Sequence, residues 1–125
     1  MALQEGVRSM SLPAAEDLSA SQFCFMNIDA AGRIALPSAN GDAVGVLQDK
    51  PDAIDRAGEV GMLEASLRLK VIAAGTITAG NKIKTDAAGK ALVATTGTHV
   101  LATALKSAVA GDLVEITPGA RHILA

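Results

Sequence analysis

Three kinds of side chain in this sequence could take part in a reaction, and their spacing decides whether they do. Asp29 and Asp86 are carboxylates in matching surroundings, Cys24 is the one thiol, and His99 and His122 are the only histidines. Paired carboxylates can divide acid and base work, and a thiol beside an imidazole can become a nucleophile. Here each group stands without its companion. Asp29-Ala30-Ala31-Gly32-Arg33 and Asp86-Ala87-Ala88-Gly89-Lys90 put each Asp at the head of a turn, where its carboxylate bonds the following backbone and Gly supplies positive φ. Turn formation therefore accounts for both. Cys24 lies between Phe23 and Phe25 in a strand-like stretch, the setting of a buried, inert thiol, and a lone cysteine forms no internal disulfide. His99 follows a Gly-Thr turn and is expected to face solvent, His122 sits beside Arg121, and no second Cys or nearby His completes a metal set. Gly41 and Gly45 miss the spacing of a dinucleotide fingerprint, and no Gly-Lys-Ser/Thr run exists. The expectation is no catalytic residue, no cofactor and no metal.

Composition bounds the rest. The chain has 125 residues, one domain's worth. Half of the residues are hydrophobic, but there are two Phe, no Trp and no Tyr, and the apolar residues are chiefly Ala, Leu, Val and Ile. Aromatics carry the largest burial per side chain, so one subunit's core is thin, which favours oligomerisation or docking on a larger assembly. The net charge of −2, scattered Lys and Arg and missing stacking aromatics disfavour nucleic acid. The first ten residues lack the pattern of a secretory signal, and no apolar run approaches the roughly 20 residues of a membrane helix. The chain is expected to be made and kept in the cytoplasm of the cell that makes it.

The elements that position these residues read as strands. Residues 1–22 mix Ser, Ala, Gln and Glu around Pro13 without a sustained period and are expected to form an extended N-terminal arm, with a short helical turn after Pro13 as its one local signal. Residues 23–125 form a β-rich domain. Phe23 and Phe25 are expected on one strand face, with Cys24, Met26 and Ile28 on the other; the Asp29 turn leads back through Ile34 and Leu36 to a stop at Pro37. Ala43-Val44-Gly45-Val46-Leu47 fits a buried strand, and residues 48–56 an exposed loop. Leu67, Leu69 and Val71 alternate with Arg68 and Lys70, and further short apolar runs follow at Ile83, Leu92, Val100 and Leu113. Over residues 100–109 a helix competes, but β-branched Thr103 and flanking turn residues favour a strand. Strands at this spacing predict a mostly β fold, a small barrel or sandwich of short antiparallel strands.

The Asp turn is one of two echoes in the chain, since Ala57-Gly58-Glu59-Val60 returns as Ala110-Gly111-Asp112-Leu113 and reads as a turn each time. The Asp turns are 57 positions apart (86 minus 29) and the Ala-Gly steps 53 (110 minus 57), and Ala79-Gly80-Asn81 adds a third such step. Unequal spacing favours recurrent hairpin chemistry in one domain over a duplicated unit.

From residue 42 to residue 116 the order of motifs resembles the capsid cement, or head decoration, proteins of tailed bacteriophages. The matching parts are Val44-Gly45-Val46-Leu47, Ala57-Gly58-Glu59-Val60, the strand at 68–72, Ala73-Ala74-Gly75-Thr76-Ile77-Thr78-Ala79-Gly80-Asn81-Lys82-Ile83, the Asp86 turn, Ala102-Thr103-Ala104-Leu105 and Ala110-Gly111-Asp112-Leu113-Val114-Glu115-Ile116. The match covers about two-thirds of the chain and omits residues 1–37. The resemblance implies a non-enzymatic virion protein on the outer surface of an icosahedral head, commonly a trimer, that clamps neighbouring major capsid subunits and stabilises the DNA-filled shell. On this reading the arm carries the contact, through Leu3, Val7, Met10, Leu12 and Leu18, with the 48–56 loop as a second candidate. A different class stays open: Gly111-Asp112-Leu113-Val114-Glu115-Ile116-Thr117-Pro118-Gly119 resembles a strand-turn module of ribosome- and transcription-associated barrels, which would make the chain a cytosolic β-barrel binding module for RNA or a small ligand.

Overall fold

Ten strands and no helix make up the described residues, 8–124, of the computed structural model. Strands β1 (Ser9–Pro13), β2 (Phe25–Ile28), β3 (Ile34–Ala35), β4 (Gly45–Leu47) and β5 (Ala57–Met62) form one sheet in the order β1-β5-β4-β2-β3. Strands β6 (Leu69–Ile72), β7 (Lys82–Thr85), β8 (Ala91–Val93), β9 (His99–Ala104) and β10 (Leu113–Ile123) form the other in the order β6-β10-β9-β7-β8. Every pairing within the sheets is antiparallel. Both sheets curl until their outer strands meet: Ala14, just after β1, bridges Ile34 of β3, and Ala73, just after β6, bridges Ala91 of β8. The result is two small, nearly closed barrels packed together, within the expected barrel or sandwich class. The bridges shorten the open edges of strands too short to be stable as isolated hairpins, while among the described residues β1 itself keeps a free outer edge.

The two Asp turns fold alike and for the expected reason. Asp29 Oδ1 accepts the N–H groups of Ala31 and Arg33, both at 2.9 Å, and Asp86 Oδ1 accepts those of Ala88 at 2.9 Å and Lys90 at 2.8 Å. Gly32 and Gly89 hold φ of 80° and 82°, where a side chain is disfavoured. Their surroundings differ. A Cβ on Gly32 would meet nothing within 4 Å, whereas on Gly89 it would lie 2.6 Å from the Phe25 carbonyl oxygen and 3.0 Å from Cys24 Cβ. The Gly89 carbonyl in turn accepts the Phe25 N–H at 2.6 Å, so the second turn is wedged against the first sheet.

Strand alternation sorts the core into two clusters. Met26, Leu47, Val60, Ile34 and Cys24 point into the first barrel, joined by Ala14 and Leu18. On the opposite face of the same strands, Phe25 and Val46 join Ala43 and Leu63 in a larger cluster with Leu69, Val71, Ile83, Leu101, Val114 and Ile116 of the second sheet and Ile77 of the segment between β6 and β7. Strands β2 and β4 are thus covered on both sides, which explains why Phe25, Met26, Val46 and Leu47 are all fully buried. Among the described residues no buried side-chain nitrogen or oxygen lacks a partner.

Several expectations are redrawn. The boundary expected between an arm at 1–22 and a domain at 23–125 coincides with no break. β1 pairs with β5 from Ser9↔Gly61 to Pro13↔Ala57, and Leu18 closes the first barrel, a burial of about 2 kcal/mol for such a side chain. No helical turn follows Pro13; Asp17 Oδ1 accepts the Ser19 N–H and hydroxyl and bends the chain there. Phe23 lies outside β2 with φ of 65°, so it does not share a strand face with Phe25. Ala57 and Gly58 are the start of strand β5 and not a turn, while Gly111 is a turn residue with φ of 91°. Leu67 precedes β6 and is 73% exposed. His99 is half-buried at the head of β9, the strand expected there in preference to a helix.

The contrast between the turns gives a test. Gly32→Ala should cost about 1 kcal/mol, the penalty of positive φ alone, and Gly89→Ala at least about 2–3 kcal/mol because the methyl also collides with backbone. Urea unfolding of the two variants measures the difference.

Candidate docking surface

A site must be built from what the barrels leave outside. Of the five residues expected to make contact, Leu3 and Val7 lie outside the described residues. Met10 is 47% exposed on β1, Leu12 is half-buried against the first barrel's cluster, and Leu18 is buried in it. β1 has one strand partner in its sheet, β5, so Met10 stands on an edge strand. Its neighbours are polar: Ser9 Oγ donates to Glu59 Oε2 across the pair, and Arg8 N–H donates to Ser66 Oγ at 3.0 Å, which ties the entry of β1 to the turn after β5. Leu18 is therefore unavailable for surface contact, because the turn at Asp17 directs it inward. The one sequence signal for a barrel plug was Ala14 and Leu18 as an apolar pair beside the Asp17-Leu18-Ser19 turn, and by itself it does not separate a plug from an arm residue.

The 48–56 loop joins β4 to β5 as an exposed segment anchored by buried Pro51. Its tip carries Ile54, 56% exposed, between charged pairs: Arg33 Nε donates to Asp55 Oδ1 at 2.8 Å, and Arg56 lies 3.5 Å from Asp52. Such exposed pairs add little stability and leave the tip free to meet a partner. On the second barrel, Leu113 and Leu105 are exposed beside a shallow groove of about 220 Å³ lined by Lys70, Lys106, Ser107, Leu113 and Glu115. That volume is below the usual range of small-molecule pockets, about 300–1,000 Å³. Ile54 falls in the 48–56 loop that the sequence offered as a second contact candidate; Leu105 and Leu113 were passed over, since exposure of a Leu in a β pattern is set by register, which composition does not reveal.

The groups considered for chemistry are placed apart. Asp29 and Asp86 are committed to their turns, and among the described residues no cluster of three His, Cys, Asp or Glu could hold a metal. Cys24 is a buried free thiol. Burial pushes its pKa up, Lys90 pulls it back and Asp86 adds to the rise. That is opposite to what an attacking thiolate requires. What this surface can do is dock: it presents an edge strand, an apolar loop tip and scattered exposed leucines.

No family model matches the chain, and no curated protein matches it. Among solved structures, the head fiber gp8.5 N base of bacteriophage phi29 has a similar fold, with a TM-score of 0.75 over 90% of this chain and 94% of that one, at 20% sequence identity.

The placement of Cys24 predicts its behaviour. The native thiol should stay unmodified by Ellman's reagent at pH 8 and titrate fully in denaturant. The linkage sign follows from the raised native pKa: above the ordinary thiol range, about 8.5, the unfolded chain loses the proton first, so stability falls as pH rises. Cys24→Ala should remove that alkaline slope, as read from unfolding midpoints between pH 7 and 10.

Proposed function

We propose that this protein is a structural component of a tailed-phage virion that binds the outer surface of the icosahedral head and cements neighbouring major capsid subunits. The observation that carries the reading is the fold likeness, over nine-tenths of the chain, to the base of a phage head fiber. The motif order resembling capsid cement proteins supports it, as does a surface suited to docking and a non-enzymatic role. The protein acts as a trimer at the shell, where repeated weak contacts add through avidity. Cementing follows when one oligomer touches two or more capsid subunits, because separating them then requires breaking its contacts as well.

The contact begins at the edge strand. Met10, with Leu3 and Val7 in the segment before it, meets the capsid, and β1 offers its outer edge to a capsid strand, which gives affinity through backbone pairing without a deep pocket. Leu12 and Leu18 support this edge from below. Loop residue Ile54 makes a second contact.

Mixing the protein with undecorated shells should produce co-sedimentation and a raised disruption temperature; neither effect would overturn the proposal. Met10→Asp should weaken shell binding about tenfold, or about 1.4 kcal/mol, with the unfolding midpoint of the free protein unchanged because the side chain is exposed. Full occupancy by this variant at limiting concentration would remove β1 from the contact.

A further inference from the structure

The two barrels are built to one plan. Subtracting five from each strand number of the second sheet turns β6-β10-β9-β7-β8 into β1-β5-β4-β2-β3, the order of the first. Register agrees residue by residue. Phe25↔Val46 in the first barrel corresponds to Lys82↔Thr103 in the second, and Ile28↔Ile34 to Thr85↔Ala91, all at an offset of 57. Met10↔Val60 corresponds to Leu69↔Ile116, with offsets of 59 and 56. The closing bridges Ala14↔Ile34 and Ala73↔Ala91 follow the same rule.

Backbone strain repeats too. The eight described residues with positive φ form four equivalent pairs: Phe23 with Gly80, Gly32 with Gly89, Asn40 with Gly97, and Asp55 with Gly111. Three of these pairs set a non-glycine residue against glycine, so the conformation persists where the residue type does not favour it. Hydrogen bonds repeat with them. Phe23 N–H to Leu47 O matches Gly80 N–H to Ala104 O, and Asp55 N–H to Ala14 O matches Gly111 N–H to Ala73 O. Unequal spacing hid this plan in the sequence. The Asp turns are equivalent, but the Ala-Gly echo is not, since Val60 corresponds to Ile116 and not to Leu113.

We infer that the chain is a tandem duplication of one five-stranded unit, docked head to tail through the Phe25–Val46 face, and that the second unit is capped against a further dock. The first unit applies Phe25, Ala43, Val46 and Leu63 to the second, with Phe25 N–H on Gly89 O, Asn40 N–H on Thr85 O and Ile72 N–H on Phe23 O. In the second unit the same face carries Lys82 and Thr103, linked by Lys82 Nζ to Thr103 Oγ1 at 3.3 Å. The equivalent of the Asn40 bond is taken up internally: Gly97 N–H donates to Leu124 O at 2.8 Å, at the end of a β10 that runs to Ile123 where β5 stops at Met62. A polar face and a lengthened last strand of the unit are what a repeat with no neighbour docked on that face needs to stay soluble.

The test transplants the cap into the dock of the full-length protein. The double substitution Phe25→Lys with Val46→Thr installs residues that the second unit already tolerates at these positions. Hydrogen exchange should show loss of protection by at least 100-fold at the amides of positions 25, 40 and 72. Protection at Ala15, Leu47, Ala74 and Ala104, whose bonds lie within single units, should persist. Uniform loss across both units, or retained protection at the dock, would overturn the inference. Asn40→Gly and Asp55→Gly supply an independent check: each should leave the melting temperature unchanged or raise it, and a fall of several degrees would contradict the equivalence.

Discussion

Of the backbone contacts that join the halves of this molecule, one is so close that it leaves no room for a side chain. The Phe25 amide donates to the Gly89 carbonyl at 2.6 Å, and the Gly89 α-carbon sits where any β-carbon would strike the Phe25 carbonyl. The glycine is required twice over, once by the positive φ of its turn and once by the approach of the neighbouring strand. From this contact follows the burial of Phe25, and with it the larger of the two clusters, which draws its residues from both sheets. A protein with so few aromatic side chains places its largest fully buried one at the junction, where the area removed from water is shared by both barrels.

The same economy explains what the surface is free to do. Each barrel is drawn nearly shut by a bridge and filled chiefly by Ala, Val, Leu and Ile, with Met26 and Cys24 in the first, so little of the interior remains for a pocket or a reactive group. The carboxylates that recur in the sequence are spent on turns, and the one thiol is buried with its ionisation suppressed. Function is left to faces and edges. The body of two packed barrels leaves Met10 and Ile54 exposed, presented by an edge strand and a braced loop.

Much of the fold was legible because local chemistry agreed with tertiary need. Asp-Ala-Ala-Gly fixed both hairpins, Pro37 closed the first return strand, and the alternation of Leu69 and Val71 with Arg68 and Lys70 gave β6 its inner and outer faces. Legibility failed where the outcome depends on distant partners. Residues 9–18 carry no period of their own, and only the need to close the first barrel makes Ser9–Pro13 a strand and Leu18 a plug. The same is true of Ala57-Gly58, a turn signal overridden by pairing with Pro13 and Leu12. As for the candidate site, Met10 lies on the surface and Leu18 does not; the exposed loop around Ile54 was legible, whereas the exposure of Leu113 depends on a register that single-sequence patterning does not set.

A reconstruction of phage heads assembled with and without this protein, by electron cryomicroscopy, addresses its role directly. The account predicts density for paired five-stranded barrels on the outer shell surface, each copy touching capsid through the β1 edge and each oligomer spanning more than one capsid subunit. Identical shell surfaces in the two samples, with the protein absent or located away from the head, would contradict it.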